Sequence, residues 1–337
     1  MKIAVVGATG LVGGEILTVL HDQGIAAHQV IAAASERSVG KTINMGSAQL
    51  KVVSVEEAIA LHPDYAIFSA GASTSRQYAP RFAEVGTTVI DNSSAWRKET
   101  NIPLVVPEIN MDAVKSTDRI IANPNCSTIQ MVVALAELHR HYGLRRIVVA
   151  TYQSITGTGF KAKCQLQHEE QLDDATLIAN PKDYPMAYQH PIHHNLFPHG
   201  GDFLDDGYTT EEQKLVDETR KIFADQSILV SATVARVPVM GGHSEAVNAE
   251  FHHEFDLDEA RALIAHTPGV VLQDNPSQAL YPMPLYAWHH DEVFVGRVRR
   301  DPTQPRTLNL WVVADNLRKG AATNAVQILQ QLIARHQ

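Results

Sequence analysis

The chain has 337 residues, of which 45% are hydrophobic and 19% charged, with a formal net charge of −9. That length exceeds one comfortable core and suits two domains, and the acidic balance argues against nucleic acid as a main partner, because phosphate binding wants a basic face. Two cysteines, Cys126 and Cys164, make no disulfide framework, and no uninterrupted apolar run approaches the ~18 residues that span a bilayer, so a reducing cytoplasm and no membrane are the expectation.

Lys2–Val6 reads as a short apolar strand. It runs into Gly7-Ala8-Thr9-Gly10-Leu11-Val12-Gly13, which opens a helix over Gly10–His21 with Leu11, Ile16, Val19 and Leu20 at helical spacing. Glycines at such a turn let backbone approach a pyrophosphate, whose charge then sits on the helix N-terminus. The spacing is G-x-x-G-x-x-G, a variant of the dinucleotide fingerprint, and a merely structural turn is the other reading. These glycines and Glu15 also interrupt any signal-peptide core after Lys2. A second strand, Gln29–Ala34, runs out into Ser35-Glu36-Arg37-Ser38. Arg37 with Ser35 and Ser38 could hold a 2′-phosphate and favour NADP; Glu36 leaves that open, and a solvated polar loop is the other reading.

Further strands follow at Val52–Val53, Tyr65–Ser69 and Thr88–Ile90, with a polar helix from Ser73 to Val85. This alternation predicts a Rossmann-type, doubly wound parallel sheet with its ligand crevice at the carboxyl ends of the strands. Asn123-Pro124-Asn125-Cys126-Ser127-Thr128 then places a thiol on a turn just before an apolar-periodic helix, Ile129–Tyr142. A cysteine at a helix start has its thiolate favoured by free N–H groups and the helix dipole. A small buried hydrophobe is the alternative for Cys126 taken alone.

Beyond that helix the texture changes. Arg145–Ser154 is an Ile/Val-rich strand, residues 160–220 read as helices and loops, and strands return at Ser227–Val239, Ala246–Phe255, Val293–Arg299 and Thr307–Val313, predicting an α+β second domain with a mixed or antiparallel sheet. Lys319–Ala334 is an amphipathic helix expected to pack back on the first domain. Arg236-Val237-Pro238-Val239-Met240-Gly241-Gly242-His243-Ser244-Glu245 ends a strand and turns on two glycines, so His243 is positioned to reach a cleft and pair with Cys126 as nucleophile and base. One hydrogen-bonded loop histidine among 17 is the competing reading. His190, His193, His194 and His199 suggest a metal, but Pro191 and Pro198 break any helix that would align them, so no metal is expected. Cys164 is read as inert.

At this point the residues resemble the aspartate-β-semialdehyde dehydrogenase family along nearly the whole chain. The matching pieces are Gly7–Gly13, Ala34–Lys41, Asp91–Arg97, Asn123–Thr128, Tyr152–Ser154, Phe203–Tyr208, Arg236–Glu245 and Asp315–Gly320. The resemblance implies an NADP-dependent reduction of L-4-aspartyl phosphate to L-aspartate 4-semialdehyde plus phosphate, a step toward lysine, methionine, threonine and diaminopimelate. It implies Cys126 as nucleophile, His243 as acid/base and Gln153 as the residue orienting substrate. For substrate it implies Arg236 at the carboxylate, Glu245 at the ammonium, Arg97 and Lys214 at the phosphate, and Asn125 beside the thiol. For the cofactor it implies Gly7, Thr9, Gly10, Leu11, Val12 and Gly13, then Ser35, Arg37 and Ser38, then Thr156, Gly157 and Asn316. The expected division is 1–127 plus 315–337 for the NADP-binding domain and 128–314 for a catalytic and dimerisation domain, in a homodimer or a tetramer. Ser154–Lys161 is bulkier and more polar than the family's usual stretch, and the His-rich segment is unusual. An N-acetylglutamyl phosphate reductase-like enzyme and a non-catalytic nucleotide-sensing relative are the rival readings.

Overall fold

The computed structural model describes residues 1–179 and 184–336. It forms two compact units, residues 1–125 with 320–337, and residues 126–319.

The first unit opens with β1 (Ile3–Val6), whose four residues are all buried. A run of β-branched and small apolar residues buried on both faces is what a covered parallel strand requires. After α1 (Leu11–Asp22) come β2 (Val30–Ala34), a small hairpin of β3 (Thr42–Met45) and β4 (Ala48–Lys51), and β5 (Val53–Ser54). Ser54 caps α2 (Val55–Ala60): its hydroxyl accepts from the Glu57 amide, and the Glu57 carboxylate accepts from the Ser54 amide, satisfying two helix-end donors reciprocally. β6 (Tyr65–Phe68), α3 (Ala72–Glu84), β7 (Thr88–Asp91), the short α4 (Pro107–Asn110) and β8 (Ile120–Ala122) complete the run.

The sheet order is β5-β2-β1-β6-β7-β8, with every neighbour pair parallel. The order therefore reverses between β1 and β6, and that switch point is where a doubly wound sheet opens a ligand crevice. Alternation along β1 divides the core. Ile3 and Val5 face Ile16, Leu17 and Leu20 of α1, while Ala4 and Val6 face Phe68 and Phe82 on the other side.

The second unit opens with α5 (Cys126–Tyr142), which starts three residues earlier than the apolar periodicity alone indicates. It lies across one face of a mixed sheet ordered β10-β9-β11-β14-β13-β12. The strands are β9 (Leu144–Gln153), β10 (Leu229–Arg236), β11 (His243–Phe251), β12 (Val270–Leu272), β13 (Val293–Arg300) and β14 (Thr307–Ala314). β9 and β10 run parallel, as do β12 and β13; the remaining pairs are antiparallel. Helices α6 (Phe160–Glu169), α7 (Asp174–Ala179), α8 (Thr210–Ile222), α9 (Leu257–His266) and α10 (Pro284–Ala287) fill the connections. Thr209 and Glu212 form a capping box at α8, and Asp256 caps α9.

The tail is not one continuous α-helix from Lys319. A π-helical turn, Arg318–Ala322, precedes α11 (Thr323–His336). Ala325, Val326, Ile328, Leu329 and Leu332 of α11 pack into the core that holds Ile3 and Ile16, so the last element completes the first.

Candidate active site

In the first unit the turn after β1 makes a cradle. Gly7 sits at φ +89°, and a Cβ on Gly13 would lie 2.1 Å from the Gly7 carbonyl oxygen. The glycines at both ends therefore fold the backbone flat against itself. Gly10 caps α1 without any side-chain hydrogen bond, so the helix presents its end to an anion with no side chain competing. A cleft of about 570 Å³ follows, lined by Gly7, Thr9, Gly10, Ser35, Glu36, Arg37 and Tyr78 among others. Ser35 precedes and Arg37 and Ser38 lie within a single 3₁₀ turn at the carboxyl end of β2. These residues fit a dinucleotide. Gly13→Ala should destabilise the chain by about 1–3 kcal/mol through overpacking and weaken dinucleotide binding; thermal unfolding with and without ligand checks both.

Arg97 and Asn125 also belong to this unit and are nearly fully buried. The Arg97 guanidinium donates to the Asn123 carbonyl at 2.9 Å and the Asn92 carbonyl at 2.7 Å. It is thereby held in one orientation by backbone.

In the second unit the register of β9, β10 and β11 brings their ends together. Gln153 and Arg236 are paired residues on β9 and β10. His243 is not on a turn, as the double glycine suggests, but is the first residue of β11 and is 0% exposed. Gly242, at φ +80°, makes the turn that precedes it. The first turn of α5 is tied to this edge at two points. Gln153 Nε2 donates to Ser127 Oγ at 2.9 Å, and Gln130 Nε2 donates to the His243 carbonyl at 3.3 Å. Cys126 is the residue before Ser127, so it shares that turn with the ends of β9 and β11. Arg236 Nη1 donates to the Ser154 carbonyl at 2.7 Å. A Cβ on Gly157 would meet Arg236 Nη1 at 3.1 Å and His243 Nε2 at 3.3 Å, so the glycine keeps a space open over both.

Buried polar atoms without partners mark what the site is built to receive. Arg236 Nε and His243 Nε2 are such atoms. Burial, and next the Arg236 charge, hold His243 well below the ordinary histidine range. The imidazole is therefore neutral at pH 7.

Glu245 lies two residues along β11, opposite Thr151, and is 0% exposed. Burial pushes its carboxyl well above the usual range, against the pull of Gln130 and Ser127. Lys214, on α8, is ion-paired with Glu211 at 2.6 Å, with side chains 27% and 13% exposed. Thr156, Gly157 and Asn316 gather around His243. Asn316 reaches the imidazole through Ser154.

Sequence reasoning left out Gln130, Ser154, Tyr188 and Glu211. Gln130 was findable, being a glutamine one turn after Cys126 in an otherwise apolar helix. Tyr188 donates to Thr158 Oγ1 at 2.8 Å and lies within the field of Arg236, and nothing in its local sequence signals this. Of the histidine-rich segment, His194 pairs with Asp174 and His199 stacks on Phe203. Cys164 is exposed on α6.

Two family models match the chain. The semialdehyde dehydrogenase NAD binding domain covers residues 2–117, and the semialdehyde dehydrogenase dimerisation domain covers residues 135–319. The chain is 47% identical to the aspartate-semialdehyde dehydrogenase of Aquifex aeolicus, with 98% of each chain covered. It is 49% identical to that of Legionella pneumophila, covering 98% of this chain and 95% of the other. Among solved structures it is similar to the crystal structure of aspartate semialdehyde dehydrogenase II from Vibrio cholerae complexed with ASA. The TM-score is 0.92 at 42% identity, over 99% of this chain and 98% of that one.

Proposed function

Because this chain belongs to the aspartate-semialdehyde dehydrogenase family, we propose that it reduces L-4-aspartyl phosphate to L-aspartate 4-semialdehyde and phosphate through an acyl-thioester on Cys126. The step serves lysine, methionine, threonine and diaminopimelate biosynthesis. The observation that carries this reading is the gathering of the Cys126 turn, Gln153, Arg236 and His243 at one sheet edge, with Arg236 Nε and His243 Nε2 unpartnered.

Gly7 to Gly13 and the start of α1 would hold the pyrophosphate of NADPH, and Ser35, Arg37 and Ser38 its 2′-phosphate. When bound, that cofactor supplies the hydride. The chain's own residues do the rest. Cys126, at the first position of α5, is favoured as thiolate by the helix end. It attacks the acyl carbon and expels phosphate, leaving a thioester that accepts hydride far more readily than a carboxylate. Arg236 grips the substrate carboxylate through its planar fork. Gln153 orients the acyl group, and Asn125, Arg97 and Lys214 serve the phosphate end. His243 attends the oxygen of the thiohemiacetal as acid/base.

The ammonium has two possible carboxylate partners. Glu245, the one the motif indicates, is fully buried, and that burial disfavours its charged form. Glu211 is less buried and is ion-paired with Lys214. It is also close to β10, since Gly200 packs between Glu211 and Val234, and Val234 shares a strand face with Arg236. The burial favours Glu211. Glu211→Gln should raise KM for the semialdehyde at least tenfold, and Glu245→Gln should change it about twofold or less; the reverse pattern in steady-state kinetics returns the role to Glu245.

Tyr152 on β9 is exposed with its ring 5.6 Å from that of Trp311 on β14, and Tyr281, Met283 and Tyr286 are exposed on the segment that runs through α10, with Tyr281 and Met283 lining a cleft with Trp311. An apolar face of this kind suits a second copy of the chain, and supports a homodimer. No described helix is long and apolar enough to cross a membrane, and a reduced thiol suits the cytoplasm.

Turnover of L-aspartate 4-semialdehyde with NADP⁺ and phosphate tests the reading directly. It should exceed turnover of N-acetylglutamate semialdehyde by orders of magnitude. Preference for the acetylated substrate would overturn the assignment. A Cys126 that labels with iodoacetamide no faster than a free peptide thiol, unprotected by substrate, would favour a nucleotide sensor.

A further inference from the structure

His243 is contacted at Nδ1 by a group that cannot reverse its polarity. The Ser154 backbone amide donates to Nδ1 at 3.0 Å. A main-chain N–H is a donor only, so Nδ1 must accept, and the proton of the neutral ring must sit on Nε2. Nε2 is the atom without a protein partner.

Three side chains hold that amide in place. Ser154 Oγ donates to Asn316 Oδ1 at 2.8 Å, Asn316 Nδ2 donates to Thr156 Oγ1 at 3.1 Å, and Thr156 Oγ1 lies 2.9 Å from Ser154 Oγ. The three bonds close a ring if the Thr156 hydroxyl donates to Ser154. In that arrangement both hydroxyl protons are committed, and the Ser154 hydroxyl points its proton at Asn316 rather than at the imidazole, 3.2 Å away. All three side chains are buried. The charged group facing His243 is Arg236, with the Gly157 backbone beside it.

We propose that Ser154, locked by Asn316 and Thr156, is a positioning residue that fixes the His243 tautomer, so that His243 meets the reacting oxygen with Nε2–H. The chemistry balances without proton transfer. The thiolate adds to the acyl carbon, and the C–O bond to phosphate breaks with its electron pair. Hydride then adds to the thioester carbon and the C=O pair moves to oxygen. That pair returns to re-form C=O, and the C–S bond breaks to regenerate the Cys126 thiolate. Oxygen bears the transient charge at each addition, and a fixed N–H stabilises it. This rests on His243 serving the reacting oxygen, as in the reading above.

The test starts with ¹⁵N NMR of the full-length, ¹⁵N-histidine-labelled protein, assigned by loss of the signal in His243→Asn. Nδ1 should carry the shift of an unprotonated nitrogen and Nε2 that of a protonated one, at pH 7 and at pH 6. Asn316→Ala should blur that pattern and lower kcat about tenfold to a hundredfold, less than the ~10²–10⁴ of an acid/base group itself, with KM within about twofold. NADPH affinity, measured in the same variant, separates this from lost cofactor contact. Ser154→Thr, which keeps the hydroxyl, should retain most of kcat, and His243→Gln, which can offer an N–H near the same place, should exceed His243→Asn in rate. A proton on Nδ1 in the parent protein overturns the proposal, as does an Asn316→Ala variant with unchanged spectrum and kcat. The NMR result needs no turnover, so a wrong substrate assignment would leave it standing.

Discussion

Cys126→Ala should reduce turnover to below roughly 10⁻⁴ of the parent rate, the scale on which loss of a covalent nucleophile is felt, while NADPH affinity stays within about twofold. The two halves of this result come from different parts of the chain. The dinucleotide cradle is built from residues 7–13 and 35–38 of the first unit, and none of these depends on the sulfur. The thiol heads α5 in the second unit, where the neighbouring polar groups are committed elsewhere: Ser127 accepts from Gln153, and Arg236 donates to Ser154. The hydroxyls that follow it, on Ser127 and Thr128, are far weaker nucleophiles than a thiolate. Initial rates with semialdehyde, NADP⁺ and phosphate, and a fluorescence titration with NADPH, read the two quantities. A near-normal rate in the alanine variant would end the thioester mechanism.

His243→Asn should lower turnover by roughly 10²–10⁴ and leave part of the thiol reactivity in place. It should also change how stability depends on pH. Burial keeps the folded imidazole neutral below the ordinary histidine value, so the unfolded chain binds a proton near pH 6.5 that the folded chain refuses. Stability therefore falls as pH drops from about 6.5 toward the lower folded value, and is unaffected above it. Asparagine does not titrate. The difference in unfolding free energy between parent and variant should shift in favour of the variant below pH 6.5 and be flat above it. Paired denaturant melts from pH 5 to pH 8 measure this, and parallel curves would show that His243 is not buried neutral.

The glycine turn, the apolar runs of β1, β2, β6 and β7 and the Cys126 helix were all legible because each is a strong local signal. Buried parallel strands need continuous apolar residues, and a helix covering a sheet needs a wide apolar stripe. The hairpin of β3 and β4 was not, since all its residues but Met45 are exposed or half-buried and its turn, Gly46-Ser47, carries little pattern. β8 has three residues, too few for periodicity to register. Helix α9 escaped although Asp256 is an ordinary cap, because its two fully buried positions, Ala260 and Ile264, make a narrow stripe.

In the site, residue types could be read and contacts could not. Arg236, His243 and Gln153 stood out by motif. The pairing that orders them comes from the strand register of β9, β10 and β11, which no local spacing encodes. His243 looked like a turn residue because Gly241 and Gly242 precede it; the strand begins at the histidine itself. The partner of Lys214 could not be read, because Glu211 is one of several acids on an amphipathic helix. Ser154 was invisible as a functional residue because its contribution to the imidazole is made by its backbone.

The interleaving of α11 with β1 has a consequence during synthesis. Ile328, Leu329 and Leu332 share a core with Ile3 and Ile16, so the first unit begins to emerge from the ribosome first but is sealed last. Residues 126–319 can collapse while the earlier sheet still waits, one apolar flank uncovered, for a helix some two hundred residues downstream. Nascent chains stalled before residue 323 should expose that flank to chaperones, and a premature stop there would spoil the nucleotide-binding half while sparing the half that carries the thiol.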